Sequence, residues 1–176
     1  MTLRPPVSEQ DHSAGEDTAK LTLVEYGDYQ CPHCAAAEPT VRAVQRELGA
    51  SLRFVFRNFP LTEMHPAAEA AAEFAEAAAT VGKFWPTHHA IFAWSRENGP
   101  ESLGMSAFLT MADSLGLDRR FTIDALEEHR FLKRIQDDFH GGVRSGVNGT
   151  PTFFVNGRRL DGMLSAQALN DARRVT

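Results

Sequence analysis

Strand patterns stand only at the two ends of this 176-residue chain, and the tract between them, from His65 to about Gly146, carries only helical periodicity. A sheet drawn from both ends must bring those ends together, so the helical tract is an insertion into one α/β unit. On the near side, Leu21-Thr22-Leu23-Val24-Glu25-Tyr26 reads as a strand closed by Gly27-Asp28. A second strand, Leu52-Arg53-Phe54-Val55-Phe56-Arg57, is closed by Asn58-Phe59-Pro60. Between them a helix opens at Pro32 and stops at Gly49, with Pro39 expected to kink it. On the far side, Thr152-Phe153-Phe154-Val155 and Arg158-Arg159-Leu160 flank Asn156-Gly157, a hairpin turn. Ser165, with Leu164 and Leu169 as a hydrophobic staple, then caps a terminal helix. The order is β-α-β, helical insertion, β-β-α. Residues 1–20 are expected as a flexible arm, 21–62 and 147–176 as the sheet domain, and 63–146 as the helical subdomain.

Within the insertion, the alanine-rich run Ala67 to Ala79 places Glu69, Glu73 and Glu76 on a stripe expected to face solvent. Asp118 is placed to cap a short helix, and Phe131, Ile135, Phe139 and Val143 recur at four-residue spacing. Met105 and Met111 are expected in the helical core. His65, His88, His89 and Arg57 are expected at surface or rim positions with their hydrogen bonds satisfied. Hydrophobic residues make up 43% and charged residues 23%, the balance of a globular protein. A net charge of −5 without a basic run excludes the electrostatic footprint of a nucleic-acid binder. No apolar run approaches the ~20 residues a bilayer span needs.

The chemistry is concentrated in Cys31-Pro32-His33-Cys34, which holds both cysteines of the chain. A thiol attacks a disulfide only as thiolate, and an ordinary Cys, with a pKa near ~8.5, is mostly protonated at neutral pH. Cys31 precedes Pro32 at a helix start, where unpaired N–H groups and the helix dipole favour an anion. His33 adds a donor or a positive charge beside it, and Cys34, one turn in, is the resolving thiol. Parity puts Glu25 on the strand face it shares with Leu21 and Leu23. If that face is core, Glu25 is a desolvated proton acceptor for Cys34; if it is rim, Glu25 simply meets water. Half of a zinc site is the competing reading of the Cys pair, but no third Cys or spaced His pair accompanies it. Pro151, in Gly149-Thr150-Pro151-Thr152-Phe153, opens a strand and follows either a cis bond or an ordinary trans turn.

Taken together, the Cys-Pro-His-Cys motif after a strand, Glu25 six residues upstream, and Gly149-Thr150-Pro151-Thr152-Phe153-Phe154-Val155-Asn156-Gly157 resemble the DsbA-like branch of the thioredoxin superfamily. The similarity runs from Leu21 onward, through Phe56-Arg57-Asn58-Phe59-Pro60-Leu61 and Gly82-Lys83-Phe84-Trp85. It implies a thioredoxin fold with a helical lid and disulfide exchange with protein or peptide thiols, with no cofactor beyond the Cys31/Cys34 dithiol. By the resemblance Cys31 is the nucleophile, Cys34 its buried partner, Glu25 the buried acid and Pro151 a cis-proline facing the dithiol. Thr150 would offer its backbone to an extended substrate segment.

Familiar members are exported, whereas the polar stretch Met1 to Lys20 has no apolar leader segment, so a cytoplasmic location is expected, or an extracytoplasmic one for a chain whose leader had been removed. No dimerisation domain of the kind disulfide isomerases carry precedes the first strand, which argues against isomerase work; a monomer is expected. The electron partner is open, as is the choice between oxidase and cytosolic reductase, since direction follows potential relative to the compartment. A non-catalytic module that holds a peptide or partner on the Thr150-Pro151 surface is the other reading; relatives of that type occur fused to membrane transporters.

Overall fold

The computed structural model describes residues 1–174, and its framework is a five-stranded mixed sheet in the order β1-β3-β2-β4-β5. The strands are β1 (His12–Ala14), β2 (Leu21–Gly27), β3 (Leu52–Asn58), β4 (Thr152–Val155) and β5 (Arg158–Arg159). Only β2 and β3 are parallel, joined by the crossover helix α1 (Pro32–Leu48); β1 joins β3, and β4 joins both β2 and β5, antiparallel. Five further helices fill the span from β3 to β4: α2 (Ala68–Ala79), α3 (Phe84–Asn98), α4 (Met105–Leu115), α5 (Arg119–Glu127) and α6 (Leu132–Arg144). The terminal helix α7 (Ala166–Arg174) starts after Ser165, whose hydroxyl accepts from Ala168 N at 3.1 Å. This is the expected thioredoxin fold with its helical insertion.

The two faces of the sheet bury different partners. Leu21, Leu23, Phe54, Phe56 and Val155 pack with α1, α3 and the rest of the insertion in the larger core. Val24, Tyr26, Val55 and Phe154 form a smaller one with Leu3, Phe59 and Val147, against which Val7 and Phe139 pack. Close approach of α6 to this face depends on Gly142, where a Cβ would stand 2.5 Å from the Phe59 ring. At the far edge, Asn156 (φ 48°) and Gly157 (φ 80°) form the two-residue turn of the β4–β5 hairpin, both left-handed as the strand twist requires.

Several sequence expectations are corrected. The first twenty residues are a docked strap, not a loose arm. Met1–Leu3 lies along β5, with a bridge between Thr2 and Arg158 and a bond from Leu3 N to Gly157 O at 2.8 Å. Leu3 and Val7 enter the smaller core, and β1 pairs with β3 at the opposite edge of the sheet. Arg57, expected near the surface, is buried beneath this strap. Glu73 and Glu76 are buried as well, because partners come to them from distant elements: His129 Nδ1 at 2.7 Å to Glu73, and His12 Nε2 at 2.8 Å and Asn58 Nδ2 at 2.9 Å to Glu76. His88 is enclosed in the core, while Met105 is exposed and only Met111 is buried. Pro39, where a kink was expected, lies within the continuous helix α1. The carbonyl of Ala35, which loses its helical donor to that proline, accepts instead from Arg96 Nη1 at 3.2 Å.

Candidate active site

β2 delivers the chain to Asp28-Tyr29-Gln30, and Cys31 follows as the N-cap of α1, in extended conformation (φ −72°, ψ 121°), with its N–H donating to Asp28 O at 3.1 Å. Pro32 occupies the first helical position and has no N–H, so the free donors nearest the Cys31 sulfur are those of His33 and Cys34. Cys31 Sγ also lies 3.5 Å from the carbonyl of Thr150, whose peptide bond to Pro151 is cis. The strap of residues before β4 therefore faces the dithiol. The Thr150 hydroxyl is buried without a partner, so it is free to donate to a Cys31 thiolate. Pro32 and His33 are exposed at the helix start.

The two thiols are driven apart in acidity. A hydrogen bond from the Cys34 thiol is the largest influence on Cys31; burial opposes it, and Thr150 and the backbone N–H groups of Cys34 and His33 add to it, lowering Cys31 to about 5. Cys34, fully enclosed, is pushed well up by burial, by that same bond and by the negative charges of Glu25 and Cys31; the Asp28 N–H, 3.5 Å from its sulfur, offsets part of this.

Two buried carboxyls flank the pair and are treated oppositely. Glu25, 2% exposed, has no hydrogen-bond partner among the described residues, and burial, with the charges of Glu38 and Cys31, raises it to about 8. Parity placed it on the core face, and the core reading is the one the structure carries. Glu38, one turn beyond Cys34, is also buried, which pushes its acidity the same way. Its bond from His89 Nδ1 (3.0 Å) and the charge of Arg96, whose Nη1 lies at 3.0 Å, override that burial and hold it below the usual carboxylate range. Near neutral pH Glu38 is thus ionised while Glu25 holds its proton.

The loop before Cys31 is tied to the helical insertion by side chains that the sequence did not single out. Tyr29 OH pairs with His88 Nδ1 at 3.0 Å, and Gln30 reaches both Ala67 N (2.7 Å) and Pro100 O (3.1 Å). Asp28 closes a local turn on Gln30 N at 2.8 Å, a bond that Asp favours in loops, so this much could have been read from its position. Its bonds to Leu61 N and His65 could not. No third His, Cys, Asp or Glu stands with the two cysteines in a metal-binding group among the described residues; the group that does form is Glu69, Glu73 and His129, away from the dithiol motif.

A profile of the family described as Thioredoxin matches residues 7–172. The chain belongs to the thioredoxin family. Its fold superposes on BdbD from Bacillus subtilis with a TM-score of 0.86, at 20% identity, over 99% of this chain and 96% of that one. DsbA2 from Pseudomonas aeruginosa is matched at a TM-score of 0.73 and 25% identity, covering 95% of this chain and 94% of that one. Among curated relatives, 42% identity over 168 residues links the chain to the Na(+)/H(+) antiporter NhaA 1 of Salinispora arenicola, and 39% over 170 residues to NhaA of Herminiimonas arsenicoxydans. Those matches take in 96% of this chain but 25% and 26% of the antiporters, so the chain spans about a quarter of the length of these curated relatives. None of the described helices is long and apolar enough to cross a membrane.

Proposed function

We propose that this chain is a thiol–disulfide oxidoreductase of DsbA type, exchanging disulfides with protein or peptide thiols through Cys31 and Cys34. The observation that carries the reading is the placement of the pair: Cys31 caps the start of α1 with its sulfur 3.5 Å from the Thr150 carbonyl, while Cys34 is fully enclosed within the helix. In the reducing direction the Cys31 thiolate attacks a substrate disulfide, one substrate sulfur leaves as thiolate, and a mixed disulfide forms. Forming the mixed disulfide removes the Cys31 charge that helps to raise Glu25, so Glu25 gives up its proton more readily. In its ionised form it takes the Cys34 proton, and Cys34 attacks Cys31 Sγ, which forms the Cys31–Cys34 bond and releases the second substrate thiolate. Two electrons pass from the dithiol to the substrate. Oxidation of a substrate dithiol is the same sequence reversed, with Glu25 returning the proton to Cys34 as it leaves. Thr150 and the cis Pro151 present their backbone to an extended substrate segment, and His33 stands exposed beside the nucleophile. A thiolate stabilised as Cys31 is favours the reduced form and so makes the disulfide an oxidant. The test is turnover of insulin or of a reduced protein substrate: Cys31→Ser should abolish it, and equal rates for variant and wild type would overturn the assignment.

The antiporter relatives favour a second reading, a module that works on or beside a membrane transporter. On that reading, binding to a transporter survives replacement of both cysteines by Ser; on the first it does not outlast the exchange chemistry.

A further inference from the structure

The exchange cycle leaves unexplained why a buried carboxylate, Asp28, sits three residues before the nucleophile. Its backbone touches both sides of the dithiol: its carbonyl accepts from Cys31 N at 3.1 Å, and its N–H points to Cys34 Sγ at 3.5 Å. Its side chain, 1% exposed, is divided between two parts of the fold. Oδ1 accepts from Gln30 N within its own loop, while Oδ2 accepts from Leu61 N at 2.9 Å and meets His65 Nδ1 at 2.7 Å, both at the entrance to the helical insertion. The first two partners are backbone N–H groups, so His65 is the side chain that holds this carboxyl in place.

We infer that Asp28 and His65 are a positioning pair for the resolving thiol, holding the Asp28 N–H on the Cys34 sulfur. The inference rests on the exchange function proposed above. Without His65 the buried carboxyl loses its side-chain partner and turns toward water, carrying the loop and its N–H away from Cys34. Cys31 draws its stabilisation from the helix N–H groups, Cys34 and Thr150, none of which involves His65.

The two thiols can be timed separately in one stopped-flow trace with dithiobisnitrobenzoate, an aromatic disulfide. Cys31 thiolate attacks the probe and releases one thionitrobenzoate; Cys34 then attacks Cys31 Sγ, closes the protein disulfide and releases the second. His65→Ala should slow the second release about tenfold, the worth of one hydrogen bond, and leave the first unchanged. His65→Asn, which keeps a donor near the Nδ1 position, should restore the second phase. Should the alanine variant fail to fold, Asp28→Asn, of equal size, must show the same selective slowing. An unchanged second phase, or both phases slowed alike, overturns the inference. If instead Cys31→Ser left the first release at the wild-type rate, the exchange function itself would fall.

Discussion

Adjacent rungs of the β2–β3 ladder, Glu25 opposite Phe56 and Tyr26 opposite Arg57, place two ionisable groups on opposite faces of one sheet. On one face Arg57, 3% exposed, spends all five donors: Nε and Nη2 on Asp11, Nη1 on Tyr26 OH and Pro5 O, and Nη2 again on Pro6 O. On the other, Glu25 has no hydrogen-bond partner among the described residues and sits beside the dithiol. Full satisfaction makes Arg57 an anchor that pins the N-terminal strap. The lack of satisfaction leaves Glu25 protonated at neutral pH and able to exchange that proton with Cys34.

The comparison can be broken from the Arg57 side first. Arg57→Ala leaves Asp11 buried without its partner and frees the strap, so it should lower stability by about 3–5 kcal/mol. Denaturant melts measure the loss, and limited proteolysis should show early cleavage before residue 20. The thiolate titration of the folded fraction should not move, because none of the groups acting on Cys31 belongs to the strap.

The Glu25 side is sharpened by pH. An acid raised in the folded state loses stability as pH climbs from its unfolded value through the folded one, here from about 4.5 to about 8. A thiol depressed from about 9 to about 5 does the reverse, gaining stability over that interval and losing it as pH falls. In the reduced wild type the two slopes oppose each other between pH ~6 and ~8. Relative to wild type, Glu25→Gln should become more stable with rising pH and Cys31→Ser less stable, each by about 1 kcal/mol per pH unit. Denaturation curves across that window check both signs, and parallel profiles for the three proteins would refute the pairing.

The smallest effect belongs to Glu38. Its charge is the second-largest influence raising Glu25, so Glu38→Gln should bring the Glu25 titration down from about 8. Infrared observation of the protonated carboxyl reads that midpoint, and a midpoint that stays or rises would remove Glu38 from the account.

How much of this could be read from the chain depended on the range of the interaction. The dithiol at a helix start, the period-2 placement of Glu25, the Asn156-Gly157 turn and the Ser165 and Asp118 caps all follow from neighbours within a few residues, and the structure contains them. The strap was missed because half of its bonds to Arg57 come from the backbone carbonyls of Pro5 and Pro6, which leave no side-chain pattern, because Asp11 meets Arg57 from 46 positions away, and because β1 is three residues long. Glu73 and Glu76 looked like a solvated stripe because helical periodicity records polarity, not the arrival of His129, His12 and Asn58 from elsewhere. Asp28 and Glu38 were passed over for the same reason, each acting through a bond to a residue far away in sequence; His65 is the satisfied rim histidine expected, but its partner was not legible.

The central claim is that one dithiol holds two thiols of opposite acidity, and the ultraviolet absorbance of the thiolate in the reduced protein tests it directly. Titrated from acid to mildly alkaline pH, the protein should show a single thiolate transition with its midpoint near 5, absent from Cys31→Ser and retained in Cys34→Ala at a higher midpoint once the Cys34 donor is gone. A first transition near the ordinary thiol value of ~8.5 would contradict the account.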